Sequence, residues 1–258
     1  MDKEKVEVKL GYVFDEKKHI HTLDGKPLNG VTTVLGVIAK PLTWWASGEA
    51  LKALGWTNPK LIKREEGIKI AGKARANFFI KNEEYYDWLQ ECYRAHNTKK
   101  VEAGTKGTDI HALIEERIVE AIKGEGYING HLVNEEPQVS LFVEWAMENK
   151  VKFLASERHL YSRKLWIGGI VDFIGEIAGK RIVGDIKTSS AVYPEHFLQT
   201  SAYDLMLQEM GEPKSDKHII VNVKKDGGFE VKENYDYEGN SKAFLAALTL
   251  YRQLESLK

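Results

Sequence analysis

Between Leu165 and Lys187 the chain reads LWIGGIVDFIGEIAGKRIVGDIK, with apolar and β-branched runs on either side of Ala178-Gly179-Lys180. This pattern predicts two antiparallel strands joined by a tight turn. Three charged residues interrupt it: Asp172 in the first run, Asp185 and Lys187 in the second. Carboxylates are poor strand formers and costly to bury alone, so in such apolar surroundings they require a compensating interaction. Side chains alternate along a strand, which sets Asp185 and Lys187 on one side, roughly 7 Å apart. The turn brings Asp172 back towards them.

The same reading extends along the chain. Val6 to Val13 and Lys18 to Leu23 read as strands of a small β-meander, with Asp24-Gly25 a turn. Val31 to Ile38 enters a helix that Thr32 or Thr33 can cap and Pro41 interrupts. Leu42 to Asn97 has helical periodicity in pieces broken near Thr57-Asn58-Pro59 and at Gly67 or Gly72. A further helix, capped by Thr108 or Asp109, runs to about Ile122 and sets His111 and Glu115 one turn apart. After a glycine-rich turn at Lys123 to Gly130, Glu135 to Asn149 reads as a helix burying Val139, Phe142, Val143, Ala146 and Met147. Val151 to Ser162 alternates as a strand and carries Glu157. Downstream of the hairpin, a helix from Pro194 to Met210 holds His196 and the i, i+4 pair Gln199 and Tyr203. Strands at Lys217 to Lys225 and Phe229 to Tyr235 flank Asp226-Gly227-Gly228, and a helix from Gly239 to Leu257 follows.

Composition narrows the picture. With 258 residues, 43% hydrophobic and 10% aromatic, the chain can bury one sizeable core or a core with an appended lobe. Its 37 basic and 38 acidic residues nearly cancel, but Lys52 to Lys106 holds twelve Lys and Arg against seven Asp and Glu. A polyanion would therefore meet a local patch rather than a basic protein. The helical stretch Leu42 to Asn97 is rich in aromatics, and Trp44, Trp45, Phe78 and Tyr86 are candidates to stack on unpaired bases. Cys92 is the one cysteine, which excludes an intrachain disulfide and a cysteine-built zinc or iron-sulfur site. MDKEKVEVKL lacks a signal-peptide apolar run, and no segment has the length of a membrane span, so a soluble, reducing compartment is expected.

The chemistry these residues can perform centres on a metal. His111, Asp172 and Asp185 offer an imidazole and two carboxylates, a hard set suited to Mg2+ or Mn2+. Glu157 is a candidate extra ligand, and the carbonyl of Ile186 another. Lys187 beside the metal would orient or deprotonate an attacking water and offset charge on a five-coordinate phosphorus. Gln199 and Tyr203 would steady the lysine, the water or a phosphate oxygen. Taken singly, Asp172 reads as a residue near a turn and Asp185 with Lys187 as a solvated strand face; their combination favours the metal. His19, His21 and His218 have no recognisable partners. Gly104 to Thr108 lacks the spacing of a phosphate loop, and HExxH, GxSxG and GxGxxG after a strand are all absent. Glycoside hydrolysis by Asp172 and Asp185 would leave Lys187 without a role.

GTKGTDIHALIEE, the strand bearing Glu157, GGIVD, GDIKTS and HFLQTSAY, in that order, resemble the PD-(D/E)XK nuclease superfamily in its RecB-like exonuclease branch. The resemblance covers Gly104 to Met210, and VTTVLGVIAKPLTWWA is similar to the N-terminal region of phage-encoded nucleases and the mitochondrial genome maintenance exonuclease. It implies an α/β, restriction-endonuclease-like core at 104–258, a central mixed sheet flanked by helices, with residues 1–103 forming the meander and an N-terminal helical lobe of the same globular unit. It implies metal ligation by His111, Asp172 and Asp185, catalysis by Lys187, and a QxxxY motif at Gln199 and Tyr203. A proline commonly precedes the first acid in this family; here that residue is Val171. The implied activity is metal-dependent hydrolysis of DNA, first of single-stranded ends, in the replication, recombination or repair of a bacterial or phage-infected cell. A structure- or site-specific endonuclease and a non-catalytic nucleic-acid-binding protein are the alternatives.

Overall fold

A computed structural model describes residues 11–38, 43–53, 91–92, 94–95, 109–130, 132–133 and 135–258. By Cα proximity the chain forms two compact units, Met1–Ala39 with Gly107–Lys258, and Lys40–Lys106. The division falls at other positions than the 103/104 boundary read from sequence, and it groups the meander with the sheet. In the second unit Thr43–Ala53 is a helix (α2), where Lys52 Nζ lies 2.6 Å from Glu49. Most of the basic lobe, the side chains of Trp44, Trp45, Phe78 and Tyr86, and the expected Thr108 cap lie outside the described residues.

In the first unit, β1 (Tyr12–Asp15), β2 (Ile20–Leu23) and β3 (Lys26–Pro27) form the expected meander, an antiparallel sheet in the order β1-β2-β3. β4 (Asn29–Gly30) then leaves it and pairs parallel with β6 (Ile167–Ile177). Gly30 caps α1 (Val31–Leu35) through its extended backbone, and Thr32 and Thr33 lie inside the helix instead of at its start. The helix thus begins at Val31, the expected start of the helical stretch, and only its cap differs.

The main sheet has six strands in the order β4-β6-β7-β8-β9, with β5 (Lys152–Ser162) also on β6. β6 and β7 (Lys180–Lys187) form the expected hairpin, with Ile177 opposite Lys180. Its two-residue loop, Ala178 and Gly179, has positive φ at both positions (50° and 75°), the twist that suits a tight hairpin. β8 (Lys217–Val223) lies parallel to β7, and β9 (Phe229–Asn234) antiparallel to β8. The fold is α/β: a mixed sheet with helices on both faces.

Helix α3, residues 109–123, and α4 (Pro137–Glu148) share a core with one face: Ile110, Ile114, Ile118 and Phe142 meet Phe153, Phe173, Ile219 and Val221. Met147, expected in that core, is 41% exposed. The buried stripe at 139, 142, 143 and 146 turns away from 147, and Trp145 reaches the Phe142 and Phe173 rings instead. The other face is covered by α1, α5 (Pro194–Glu209) and α6 (Tyr237–Glu255), which share a core with Leu160, Ile174 and Val183. Two glycines permit close approach: a Cβ at Gly184 would lie 1.9 Å from the Phe173 ring, and one at Gly169 would lie 2.6 Å from that of Tyr203. Among the described residues, no helix is long and apolar enough to cross a membrane.

Candidate metal centre

The centre is built where the hairpin opens. The β6–β7 ladder ends at Phe173 opposite Gly184, one step before Asp172 and Asp185 would face each other. There the Ile186 N–H donates to Asp172 Oδ2 at 2.6 Å, so a carboxylate replaces the backbone acceptor β6 no longer supplies. The inside–outside alternation also breaks at this point. Val171 and Ile174, three residues apart on β6, belong to one apolar core, whereas regular alternation would send them to opposite faces. On β5, Leu160 lies in that same core and Ala155, five residues earlier, packs against it. Between those two lies Glu157, with φ of 44°.

A glutamate in the left-handed region is strained, and such strain collects where side chains must be aimed. A glycine there has no strain to bear, although glycine normally weakens a strand relative to alanine. Glu157→Gly is therefore expected to be more stable than Glu157→Ala by about 1 kcal/mol, read from urea unfolding in EDTA. The ordinary strand ranking, alanine above glycine, would refute the strain.

The side chains converge on this break. His111, near the start of α3, places Nε2 3.0 Å from Asp172 Oδ2 and Nδ1 3.9 Å from Glu157 Oε1. One ligand atom each from His111, Glu157 and Asp172 lies within 4.8 Å of the others. Asp185 is wholly buried, and Lys187 Nζ is 2.5 Å from its Oδ2. Oδ2 is thus ion-paired, while Oδ1 has no hydrogen-bond partner among the described residues. A buried carboxylate oxygen without a partner is costly unless a cation takes it. Carboxylates with an imidazole beside them form a set that fits a hard divalent ion such as Mg2+ or Mn2+.

The electrostatics agree with crowding of negative charge. Burial first, and the neighbouring Asp172 second, push Asp185 up to about 7 against the opposing pull of Lys187. Glu157 rises to about 7, by burial and then by Asp172, with Glu115 adding to it. Asp172 goes the other way: burial would raise it, but the hydrogen bond and charge of His111, then Lys187 and the Ile186 N–H, hold it below the usual range. Burial works against the charged forms of His111 and Lys187, yet Asp172, Glu157 and Asp185 carry His111 up to about 9, and Asp185 with Asp172 raises Lys187.

Of the residues singled out in the sequence, His111, Glu157 and Asp172 are thus brought together as one cluster, and Asp185, outside that trio, pairs with Lys187 next to it. Ile186 contributes its N–H to Asp172. Gln199 Nε2 donates to Tyr203 Oη at 2.7 Å, and both residues are buried. Burial, and then the charges of Asp185 and Asp172, push the Tyr203 phenol well above its usual range. His196, one turn before Gln199, was not assigned a role from sequence. It accepts the Tyr193 N–H, and burial and then the charge of Lys187 lower it to about 4, leaving it neutral.

Two histidines expected to stand alone have partners. His21 shares a 2.6 Å hydrogen bond with Tyr12 Oη. His218 lies 3.2 Å from Ser201 Oγ through Nδ1 and 3.4 Å from Asp204 Oδ2 through Nε2, and Ser215 also donates to Asp204. The Ser–His–Asp composition is not a nucleophilic triad, because Ser201 is wholly buried and no substrate can reach its hydroxyl. Spacing held a partial signal, since Ser201 and Asp204 lie one turn apart on α5.

No family model matches the chain, and no curated protein matches it. Among solved structures it is similar to one described as the crystal structure of SSO0001, with 20% identity and a TM-score of 0.27. The matched part covers 44% of this chain and 56% of that one, so the chain spans about half the length of that structure.

Proposed function

We propose that this chain is a divalent-metal-dependent deoxyribonuclease of the PD-(D/E)XK type, RecB-like branch, acting on single-stranded DNA ends. The observation that carries the reading is Asp185: a wholly buried carboxylate, ion-paired with Lys187 through Oδ2, with no hydrogen-bond partner for Oδ1 among the described residues, and next to a His–Glu–Asp cluster. Asp172 and Asp185 would hold Mg2+ or Mn2+, with His111, Glu157 and the Ile186 carbonyl as further ligands. The bound ion supplies Lewis-acid polarisation of a phosphoryl oxygen and a more acidic water.

The rest falls to the chain's own groups. His111 and the Ile186 N–H hold the Asp172 carboxylate in place. Lys187 brings a positive charge to Asp185, where it orients the attacking water and offsets charge developing on the phosphate. The basic excess of Lys52 to Lys106 and its interleaved aromatics supply the sequence basis for a single-stranded partner. The cytoplasm of a bacterial or phage-infected cell is the setting this reading fits.

The test uses end-labelled linear and covalently closed circular single-stranded DNA with Mg2+ and with EDTA. The expected result is Mg2+-dependent release of nucleotides from linear strands, with circles intact. Cutting of circles would assign an endonuclease of the same fold. Tight DNA binding without turnover in Mg2+ and Mn2+ would reject the enzyme reading in favour of a binding protein.

A further inference from the structure

Asn222, on β8, is wholly buried, and among the described residues neither its amide nitrogen nor its oxygen has a hydrogen-bond partner. A primary amide in that state is costly, and leucine would fill a similar volume without the cost. The parallel pairing of β7 with β8 sets Asn222 beside Lys187 and Ile220 beside Asp185. Ile220 packs with Phe197 of α5 and with Val192, whereas Ile219 and Val221 belong to the core on the other face. Asn222, two residues from Ile220, therefore shares the α5 side with Ile220 and His218, which contacts α5 through Ser201 and Asp204. Partnered positions on neighbouring strands project to the same side, so Lys187 stands between its ion-pair partner Asp185, two residues before it, and the buried Asn222 amide across from it.

We propose that Asn222 is the second seat of the Lys187 ammonium: when a divalent cation takes the Asp185 carboxylate, Lys187 leaves Asp185 Oδ2 and donates to Asn222 Oδ1. This rests on the metal reading above and adds to it a positioning residue from outside the acidic cluster. The contact of Lys187 with Asp185 and the binding of a cation compete for the same buried oxygen. Displaced without an acceptor, the ammonium would be left in a largely buried place and would oppose the incoming ion. With the Asn222 oxygen beside it, the lysine is retained next to the metal, where the chemistry needs it. An amide suits this task better than a carboxylate, because a neutral acceptor does not draw the lysine away before the cation arrives.

The test is Mn2+ titration calorimetry on the full chain, with thermal unfolding in EDTA as the control for folding. Asn222→Leu is expected to bind Mn2+ about tenfold more weakly while unfolding in EDTA at the same or a higher temperature. Asn222→Asp, which keeps an oxygen acceptor, is expected to retain Mn2+ affinity even if Asn222→Leu fails to fold. In a Lys187→Met background Asn222→Leu should cause no further loss, since the amide acts through the lysine. On DNA the leucine variant should lose kcat with KM unchanged. Unchanged Mn2+ affinity in Asn222→Leu, an equal loss in the Lys187→Met background, or loss in Asn222→Asp as large as in Asn222→Leu overturns the proposal. Failure of the wild-type chain to bind Mn2+ overturns the metal reading itself, and this proposal with it.

Discussion

Asp185→Asn and Lys187→Met are each expected to lower Mg2+-dependent DNA cleavage by about 10³-fold or more, with the circular dichroism spectrum unchanged. For Asp185 the size follows from its burial and charge. Its one counter-charge in direct contact among the described residues is Lys187, and an amide in its place is neutral and a poor ligand for a hard cation. Losing the several kcal/mol a Lewis-acid ion contributes corresponds to about three powers of ten. For Lys187 the loss is of a charge held close to the reacting phosphate, which low-dielectric surroundings make more effective than in water. Their other properties separate the two variants. Asp185→Asn should show little or no Mn2+ binding by calorimetry. Lys187→Met should bind Mn2+ as tightly as the wild type or more so, because the ammonium 2.5 Å from Asp185 Oδ2 no longer competes with the ion. Cleavage that survives in both variants would remove the site from the mechanism.

Much of this centre was legible in the sequence because local rules suffice for it. The apolar runs around Ala178-Gly179 specify the hairpin, and a two-residue loop with both φ positive fixes its register. That register carries Asp172 towards Asp185. What the pattern does not contain is the break in alternation. It depends on a left-handed backbone at Glu157, a residue type that gives no warning of it, where a glycine would have. The use of the Asp172 carboxylate as a stand-in for a ladder acceptor is equally hidden, since it appears only where two strands part. Long-range pairings escape for another reason: β4 is two residues long and joins β6 across more than 130 positions, with no periodicity to announce it. The partners of His218 combine a helix face with a strand that follows it, and Asn222 reads in sequence as one polar residue in an apolar run. Burial without a partner, which gives it interest, is a property of the folded chain alone.

In EDTA the stability of the chain is expected to fall as pH rises from about 4.5 to 9, and divalent cations should cancel most of that fall. Asp185 and Glu157 have folded pKa values near 7, above the value of about 4 for an unfolded carboxylate. A raised pKa means that the folded state binds the proton more tightly, so their contribution is complete below about pH 4 and is lost as pH climbs through 7. His111, raised to about 9, acts in the same direction over a higher window, from about 6.5 upward. Asp172 is depressed and has the opposite sign; its contribution is present above the unfolded carboxylate value and is lost only in stronger acid. The acid limb is therefore steep only below about pH 4 and the alkaline limb begins early. Because the groups share protons and charge, the net fall is on the order of 3 kcal/mol, or roughly 6–12 °C in Tm, rather than the sum of separate shifts. Mg2+ or Mn2+ replaces the protons that leave Asp185 and Glu157, so the Tm increment on adding metal should grow with pH and be small at pH 4.5. Asp185→Asn carries no proton to lose there, and it should flatten the slope between pH 4.5 and 7 and abolish most of the metal increment. Scanning calorimetry across this range, with and without metal, reads both effects. A wild-type Tm independent of pH in EDTA, or a metal increment that shrinks as pH rises, would contradict the charge crowding on which the cation's role depends.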